Sequence, residues 1–299
     1  MRYRSFGATG MAVSAVSLIL NDARGRTRAS EWRELVFAGL ENGVNSFEIS
    51  DPSPALLEGL GMVAAGVERR LMFVALRAGA KQTQGFTTEG LTAAVRAVLE
   101  KSGLGYLDLL TLDQPEPGAL DHGAMDLIKG LRTSRIATRL GVAGDYDGVD
   151  GWVATGAFDT LVHPFSVASG WRERNRIKTA TNRDMSVIAS DSFNEELAEA
   201  AKGPKIPISS LWKRKSDPLS GYGTYAFLDA TPGWTAEDIC LAYSLTEPAV
   251  TTVLMNVDRR ERIEAMADVP ERDLPTGVAA QIEMARFSAP PGGVERRKA

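Results

Sequence analysis

The sequence predicts an α/β fold, a (β/α)8 or TIM barrel in which eight parallel strands alternate with helices around one closed sheet. Apolar runs of strand length recur eight times, and each is followed by a segment whose apolar residues have helical spacing. Strands that are apolar on both faces are typical of parallel sheets covered by helices. The Gly-x-Gly-x-x-Gly turn of an open doubly wound sheet, the competing fold, is absent after the first strand. We therefore expect a single barrel domain over residues 1–288.

Local signals place the elements of this barrel in order. Residues 2–13 are predicted to form a hairpin, because Gly7 and Gly10 suit the positive φ angles of a turn. Runs of apolar and β-branched residues predict strands at 16–20, 44–48, 71–77, 107–113, 136–142, 159–163, 185–190 and 250–254. Amphipathic spacing predicts helices at 30–42, 54–67, 87–102, 125–131, 148–155, 170–182, 235–246 and 258–267, with an extra helix near 275–287.

Apolar stripes and caps support these helices. In the segment 87–102, Leu91, Val95 and Val98 fall on one face. Thr235 followed by Asp238 is a good helix cap.

Two segments carry no such signals. Residues 203–233 are predicted to be irregular, and this length is typical of a lid or binding loop. Residues 289–299 are rich in proline, glycine and charge, and we expect this tail to be disordered.

The stretch 44–61 indicates where chemistry should be sought. A short apolar strand is predicted to end at Glu48, and Pro52 and Pro54 then force a loop before helical spacing resumes. Barrel enzymes present catalytic groups on such strand ends, which all point to one mouth.

Composition excludes some partners. A formal charge of -4 gives no reason to expect nucleic acid, and no apolar run reaches the roughly 20 residues that span a bilayer. The N-terminal segment has no apolar core of the signal-peptide kind, so a cytoplasmic location is expected. Cys240, the only cysteine, is interpreted as a small core residue.

The chain resembles the aldo-keto reductases over nearly its whole length. The resemblance is carried by Tyr-Arg-Ser-Phe-Gly-Ala-Thr-Gly from residue 3 and by Ala-Gly-Leu-Glu-Asn-Gly-Val-Asn-Ser-Phe from residue 38. Further matches are Gly-Tyr-Leu-Asp-Leu-Leu-Thr-Leu from 105, Arg-Leu-Gly-Val from 139, and residues 235–253. The resemblance implies a barrel of aldo-keto reductase type with an N-terminal β-hairpin.

The same resemblance implies a tetrad of tyrosine, lysine, aspartate and histidine, all four of which are changed here. Glu48 takes the aspartate position, Ser53 the tyrosine position, Arg77 the lysine position and Asp113 the histidine position. A serine is too weak an acid to replace a phenol, and an arginine stays protonated. Loss of a positioned general acid costs about 10²–10⁴ in rate, so orthodox carbonyl reduction is not expected.

The positions that the resemblance assigns to the nicotinamide cofactor are changed as well. Ala143-Gly144 replace a serine–asparagine pair and Val162 replaces a glutamine. Near the last strand, Met255-Asn256 replace a proline–glycine pair and Asp258 replaces a basic residue, which would repel a 2′-phosphate. Arg259, Arg260 and Arg262 remain as residual anion-binding candidates, although charges at a helix start are usually only solvated. No cofactor is expected, with NADP(H) as the alternative.

Four charged residues are the candidate catalytic groups: Glu48, Arg77, Asp113 and Asp51. Glu48 and Arg77 are either a buried ion pair that only satisfies charge, or part of a site whose carboxylates differ in pKa. Asp113 has no obvious basic neighbour in sequence and is the preferred proton-transfer group.

Candidate substrate-binding residues are His163, Tyr146, Trp212 and Tyr225. His163 is predicted to end the sixth barrel strand and face the mouth, and the aromatic residues lie in predicted loops. We predict no metal site, because partners for a histidine ligand cannot be placed.

Three functional hypotheses remain. The first is a cofactor-independent acid–base enzyme of lyase, isomerase or dehydratase type, or a subunit that binds a small polar or anionic molecule. The second is an NADP(H)-dependent carbonyl reductase whose proton donor is relocated to Asp113 or a loop tyrosine. The third is a noncatalytic scaffold or regulatory protein with a protein partner, and fold alone cannot choose among them.

Overall fold

The computed structural model describes residues 1–7, 10–22, 25–202, 225–257 and 259–288. An antiparallel hairpin, β1 (Tyr3–Phe6) and β2 (Met11–Ser14), precedes the barrel. The barrel strands are β3 (Val16–Asn21), β4 (Ser46–Asp51), β5 (Phe73–Gly79), β6 (Leu109–Asp113), β7 (Leu140–Ala143), β8 (Thr160–Pro164), β9 (Ser186–Ser190) and β10 (Val250–Met255). Within the described residues these strands pair in parallel and close into one barrel of eight, β10 joining β3, as the sequence predicts.

The helices alternate with these strands. They are α1 (Ala29–Glu41), α2 (Pro54–Ala64), α3 (Thr88–Ser102), α4 (His122–Thr133), α5 (Asp147–Thr155), α6 (Trp171–Thr181), α7 (Glu195–Ala201), α8 (Phe227–Ala230), α9 (Ala236–Ser244), α10 (Arg260–Asp268) and α11 (Thr276–Ser288). The predicted cap at Thr235 forms, since its side chain accepts from the Asp238 amide. The helices α7 and α8 are additions to the predicted set. The predicted disordered tail and most of the predicted irregular segment lie outside the described residues.

The boundary of β4 differs from the prediction. Glu48 does not end this strand but is its third residue, and the strand continues to Asp51. The stop comes from Pro52 and Pro54, since proline removes backbone donors, and Ser53 then caps α2 by accepting from the Leu56 amide. Glu48 therefore lies deeper in the barrel than a strand end would place it.

The core has an outer layer between strands and helices and an inner cluster in the barrel lumen. The lumen cluster contains Phe6, Val13, Phe73, Ala75, Leu109, Ala143, Val162, Ile188 and Leu254. Phe6 of the hairpin packs on Phe73 with ring centroids 4.6 Å apart, so the hairpin closes the lower end of the lumen. Chemistry is left to the opposite end, where the strands terminate.

A third cluster packs α7, α8, α9 and α11 together outside the barrel, and it contains Cys240. This cysteine is fully buried, and burial raises the pKa of its thiol to about 12. The prediction of a small core residue is confirmed. Among the described residues, no helix is long and apolar enough to cross a membrane.

Candidate active site at the barrel mouth

Three neighbouring strands carry the predicted catalytic groups to the inside of the barrel. The residues flanking Glu48, Phe47 and Ile49, belong to the outer core, so alternation along β4 turns Glu48 inward. Arg77 follows the lumen residue Ala75 by two positions and points the same way. Asp113 lies at the end of β6 in register with Gly79, which brings it beside the end of β5.

Arg77 links the two carboxylates. Its Nε donates to Asp113 Oδ1 at 2.9 Å, and its Nη2 lies 2.8 Å from the same oxygen. Its Nη1 lies 3.6 Å from Glu48 Oε1, which is an ion pair without a hydrogen bond. Asp113 has no basic neighbour in sequence, but the register of β5 and β6 pairs it with Arg77, which is 36 positions away. Asp113 Oδ2 accepts no bond within the described residues.

Glu48 is buried beneath this pair. The residue is 1% exposed, and neither carboxylate oxygen has a hydrogen-bond partner among the described residues. Burial raises the pKa of Glu48 to about 7, since the nearby Arg77 guanidinium only partly offsets the loss of hydration and the Asp113 charge adds to the rise. A group with this pKa exchanges a proton close to neutral pH.

A cavity of about 560 Å³ opens above Arg77, and we call it the mouth cavity. Its lining residues are Ser50, Asp51, Arg77, Gly79, Lys81, Gln82 and Asp113. Three of the four predicted catalytic residues line it, whereas Glu48 does not and reaches it only through Arg77.

Sequence reasoning missed Lys81 and Gln82. Both lie in the loop after β5, and Gln82 Oε1 is buried without a hydrogen-bond partner among the described residues. Asp191, one residue beyond β9, was also missed, although its charge acts on Glu48. Position in the short segment that follows a barrel strand was the signal that could have identified Lys81, Gln82 and Asp191.

His163 is placed away from the mouth cavity. Its neighbour Val162 belongs to the lumen cluster, so strand alternation directs His163 to the outer side of β8. The ring is fully buried, and Nδ1 lies 2.9 Å from the Gly144 carbonyl oxygen. Burial lowers the pKa of this imidazole, and Nε2 has no partner among the described residues. This placement does not support the predicted contact with substrate.

The predicted loop tyrosines are held by packing. The Tyr146 hydroxyl donates to the Pro115 carbonyl oxygen, which also accepts from the Trp152 indole at 2.6 Å. Burial raises the pKa of Tyr146 to about 12, so this phenol is a weaker acid than free tyrosine. Tyr225 packs on Phe227 at the third apolar cluster, outside the barrel. Trp212 lies outside the described residues.

Two of the three arginines that the sequence suggests as anion-binding candidates are in ion pairs. Arg260 Nη2 lies 2.7 Å from Glu41 Oε2, and its Nε lies 3.0 Å from Glu264 Oε1. Arg262 Nη2 lies 2.7 Å from Glu237 Oε2 and 2.9 Å from Asp238 Oδ1. Arg259 precedes α10. The charges of Arg260 and Arg262 are therefore already compensated by protein carboxylates.

The positions that the resemblance assigns to the nicotinamide do not fit it. Ala143 and Val162 are neighbours in register, fully buried in the lumen cluster, and offer no polar side-chain atom to a carboxamide. Gly144 has φ +145, and a Cβ there would lie 2.7 Å from Cε1 of Tyr146, so a side chain fits only with backbone strain and a shift of the Tyr146 ring. These three positions therefore offer no polar side-chain atom to a carboxamide.

Comparison with known proteins identifies the family. The Aldo/keto reductase family pattern matches residues 20–286, and the chain belongs to this family. No curated protein matches the chain in sequence.

Solved structures resemble the whole fold. Aldo-keto reductase AKR11C1 from Bacillus halodurans matches in its apo form (TM-score 0.72, 15% identity) and its holo form (0.74, 16%), each comparison covering 97% of both chains. An aldo-keto reductase from Klebsiella pneumoniae in complex with NADPH matches with TM-score 0.73 and 16% identity over 99% of both chains. At these identities the likeness shows the fold alone.

Proposed function

We propose that this family member carries out cofactor-independent acid–base chemistry, of lyase, isomerase or dehydratase type, on a small polar or anionic molecule in the mouth cavity. The observation that carries the proposal is the array of Glu48, Arg77 and Asp113, two carboxylates joined by one guanidinium at an open cavity. Arrays of this kind combine a proton acceptor with a fixed positive charge, and lyases and isomerases that form carbanion-like intermediates need both.

Asp113 is the proposed proton-transfer group. Arg77 makes both of its contacts with Oδ1, so Oδ2 is left to accept a proton from a bound molecule. The side chain of Asp113 is 33% exposed and lines the mouth cavity, so a ligand can reach it. Geometry of this kind is the first requirement for a general base.

Arg77 is the proposed electrostatic group. The guanidinium of Arg77 stays protonated at neutral pH, so it stabilises negative charge on a ligand without taking part in proton transfer. Glu48 touches Arg77 and not the cavity, and we assign it a positioning role: it holds the guanidinium from below.

The reductase alternative takes its support from the Klebsiella pneumoniae structure, which is a complex with NADPH. Against it stand the apolar Ala143 and Val162, the glycine at 144, and the bonded hydroxyl of Tyr146. A scaffold or regulatory role, with a protein partner, is the remaining alternative. It would give no functional reason for the array of Glu48, Arg77 and Asp113.

The test begins with molecules that co-purify with the protein, released by heat and identified by mass spectrometry. Each is then incubated with the protein in D₂O without nicotinamide, and NMR follows deuterium entering its C–H positions, which reports proton abstraction directly. We expect exchange that Asp113→Asn slows by about 10²–10⁴. Asp126→Asn, an exposed change on α4, is the matched control and should have no effect.

The outcomes separate the three hypotheses. Binding without exchange would reduce the protein to a small-molecule-binding subunit. Exchange or turnover only in the presence of NADPH would contradict the proposal and favour the reductase. A full function in cells with Asp113→Asn and Glu48→Gln together would favour the scaffold.

A further inference from the structure

Two charged side chains of the mouth cavity are left without a partner among the described residues. Arg77 and Asp113 are bonded to each other, so their charges largely cancel. Asp51 and Lys81 line the same cavity, yet neither side chain makes an ion pair or hydrogen bond with any described residue. A ligand is therefore offered one unpaired negative charge and one unpaired positive charge.

These two charges do not neutralise each other. The Lys81 ammonium makes no ion pair with the Asp51 carboxylate. Both side chains are exposed to solvent. Opposite charges that line one cavity without pairing with each other attract a molecule that carries both signs.

We propose that the mouth cavity binds a small zwitterion, an amino-acid-like molecule whose carboxylate faces Lys81 and whose ammonium faces Asp51. This inference rests on the proposed function, because it names the class of substrate for the same site. It narrows the expectation of a small polar or anionic molecule to one that bears both a cationic and an anionic group.

Gln82 is a further polar residue of the mouth cavity. Its Oε1 is buried and lacks a donor among the described residues. Because this oxygen is closed to the cavity as the side chain stands, a donor on the ligand reaches it only when the amide turns outward. Gln82 follows Lys81 directly, so one loop carries both polar side chains.

Ligands with charges of one sign fit less well. A dianion would satisfy Lys81 but would bring its second carboxylate towards Asp51 and Asp113. A dication would satisfy Asp51 but would bring its second ammonium towards Lys81 and Arg77. Like charges in such a cavity lower affinity, so the four lining charges select against both.

Three probes of nearly equal length test this selection: γ-aminobutyrate, succinate and 1,4-diaminobutane. Isothermal titration of the full chain should show γ-aminobutyrate binding at least about tenfold more tightly than the other two. Glycine and 6-aminohexanoate, with shorter and longer charge separations, identify the spacing that the cavity accepts.

Two variants assign the charges. Lys81→Gln should weaken zwitterion binding by about 10- to 100-fold and remove the discrimination against 1,4-diaminobutane. Asp51→Asn should weaken it similarly and remove the discrimination against succinate. Lys129→Gln and Asp126→Asn, both exposed on α4, are the matched controls and should bind like the unchanged protein.

The inference is wrong if succinate or 1,4-diaminobutane binds as tightly as every zwitterion, if no zwitterion binds, or if Lys81→Gln and Asp51→Asn bind normally. None of these results decides the proposed function, because deuterium exchange into co-purified molecules does not use these probes. Loss of exchange in Asp113→Asn together with normal binding in Asp51→Asn would keep the acid–base proposal and reject the zwitterion.

Discussion

The two halves of the barrel mouth differ in chemistry. In the half formed by β4, β5 and β6, the charged half, the inward residues are Glu48, Arg77 and Asp113, and Arg77 is ion-paired with both carboxylates. In the half formed by β7 and β8, the apolar half, they are Ala143 and Val162 of the lumen cluster. The charged half has groups that can bind and move protons, whereas these two apolar side chains have none.

The two halves differ in what holds their side chains in place. Buried charges are costly unless they are paired, so a carboxylate as buried as Glu48 requires the neighbouring Arg77. The apolar half is fixed by packing instead, because the Tyr146 ring occupies the space above Gly144. The proposed acid–base site uses only the charged half, and on that proposal it needs no nicotinamide.

The largest effect should follow loss of the shared cation. Arg77→Met leaves Glu48 and Asp113 close together without compensation, and we expect a loss of about 3–5 kcal/mol in the free energy of unfolding at pH 8, measured in urea. The loss should be smaller at pH 5, where Glu48 is protonated. Arg96→Met, which removes an exposed pair on α3, should change stability by less than about 1 kcal/mol. Equal effects of the two variants would remove the distinction between the halves.

The pH dependence of stability should reveal Glu48 next. Its pKa is about 7 in the folded protein against an ordinary value of 4.5, so the folded state holds the proton more tightly than the unfolded chain. The stability of the unchanged protein should therefore fall relative to Glu48→Gln by roughly 3 kcal/mol between about pH 4 and pH 8. Urea unfolding across this range measures the difference, and exposed Glu58→Gln is the control. A difference that stays constant with pH would mean that Glu48 is not the buried acid described here.

The fold was predictable because its signals are local and repeated. Eight apolar strands and their amphipathic helices can be counted along the chain, and the closed barrel confirms them. The end of β4 was misplaced because a carboxylate was interpreted as a stop, although only Pro52 and Pro54 remove the donors that a strand needs.

The site was predicted only in part. The side to which His163 points depends on strand alternation, and a continuous apolar run such as Leu161-Val162 hides that alternation. The bond between Arg77 and Asp113 depends on the register of two strands, which no local pattern encodes. Lys81 was missed because loop residues give no periodic signal.

In the apolar half, replacing Gly144 by the asparagine that the family resemblance implies at this position should destabilise the protein. Gly144→Asn would force a side chain against the Tyr146 ring, and we expect a loss of about 1–3 kcal/mol without any gain in NADPH binding. Gly130→Asn, at a helix position where an added Cβ would meet nothing within 4 Å among the described residues, should be close to neutral. The double variant with Tyr146→Ala should show less than the sum of the two losses, since it removes the clash. Tight NADPH binding by Gly144→Asn would contradict the idea that this half lacks room.

The smallest effect should come from Tyr146→Phe. The change removes one hydrogen bond, to the Pro115 carbonyl oxygen, and should cost about 1 kcal/mol of stability. Deuterium exchange should be unchanged, because the phenol is bonded to the backbone and its pKa is raised to about 12. A fall in exchange of about 10²-fold or more would instead make Tyr146 the relocated proton donor.

The central claim is that the mouth works without a nicotinamide. Titration of the unchanged protein with NADPH, followed by quenching of tryptophan fluorescence, tests it most directly. We expect no saturable quenching up to about 1 mM, because Ala143, Gly144 and Val162 offer no side-chain contact to the carboxamide. Saturable quenching with a Kd in the micromolar range would contradict the claim and make the protein a reductase with a relocated acid.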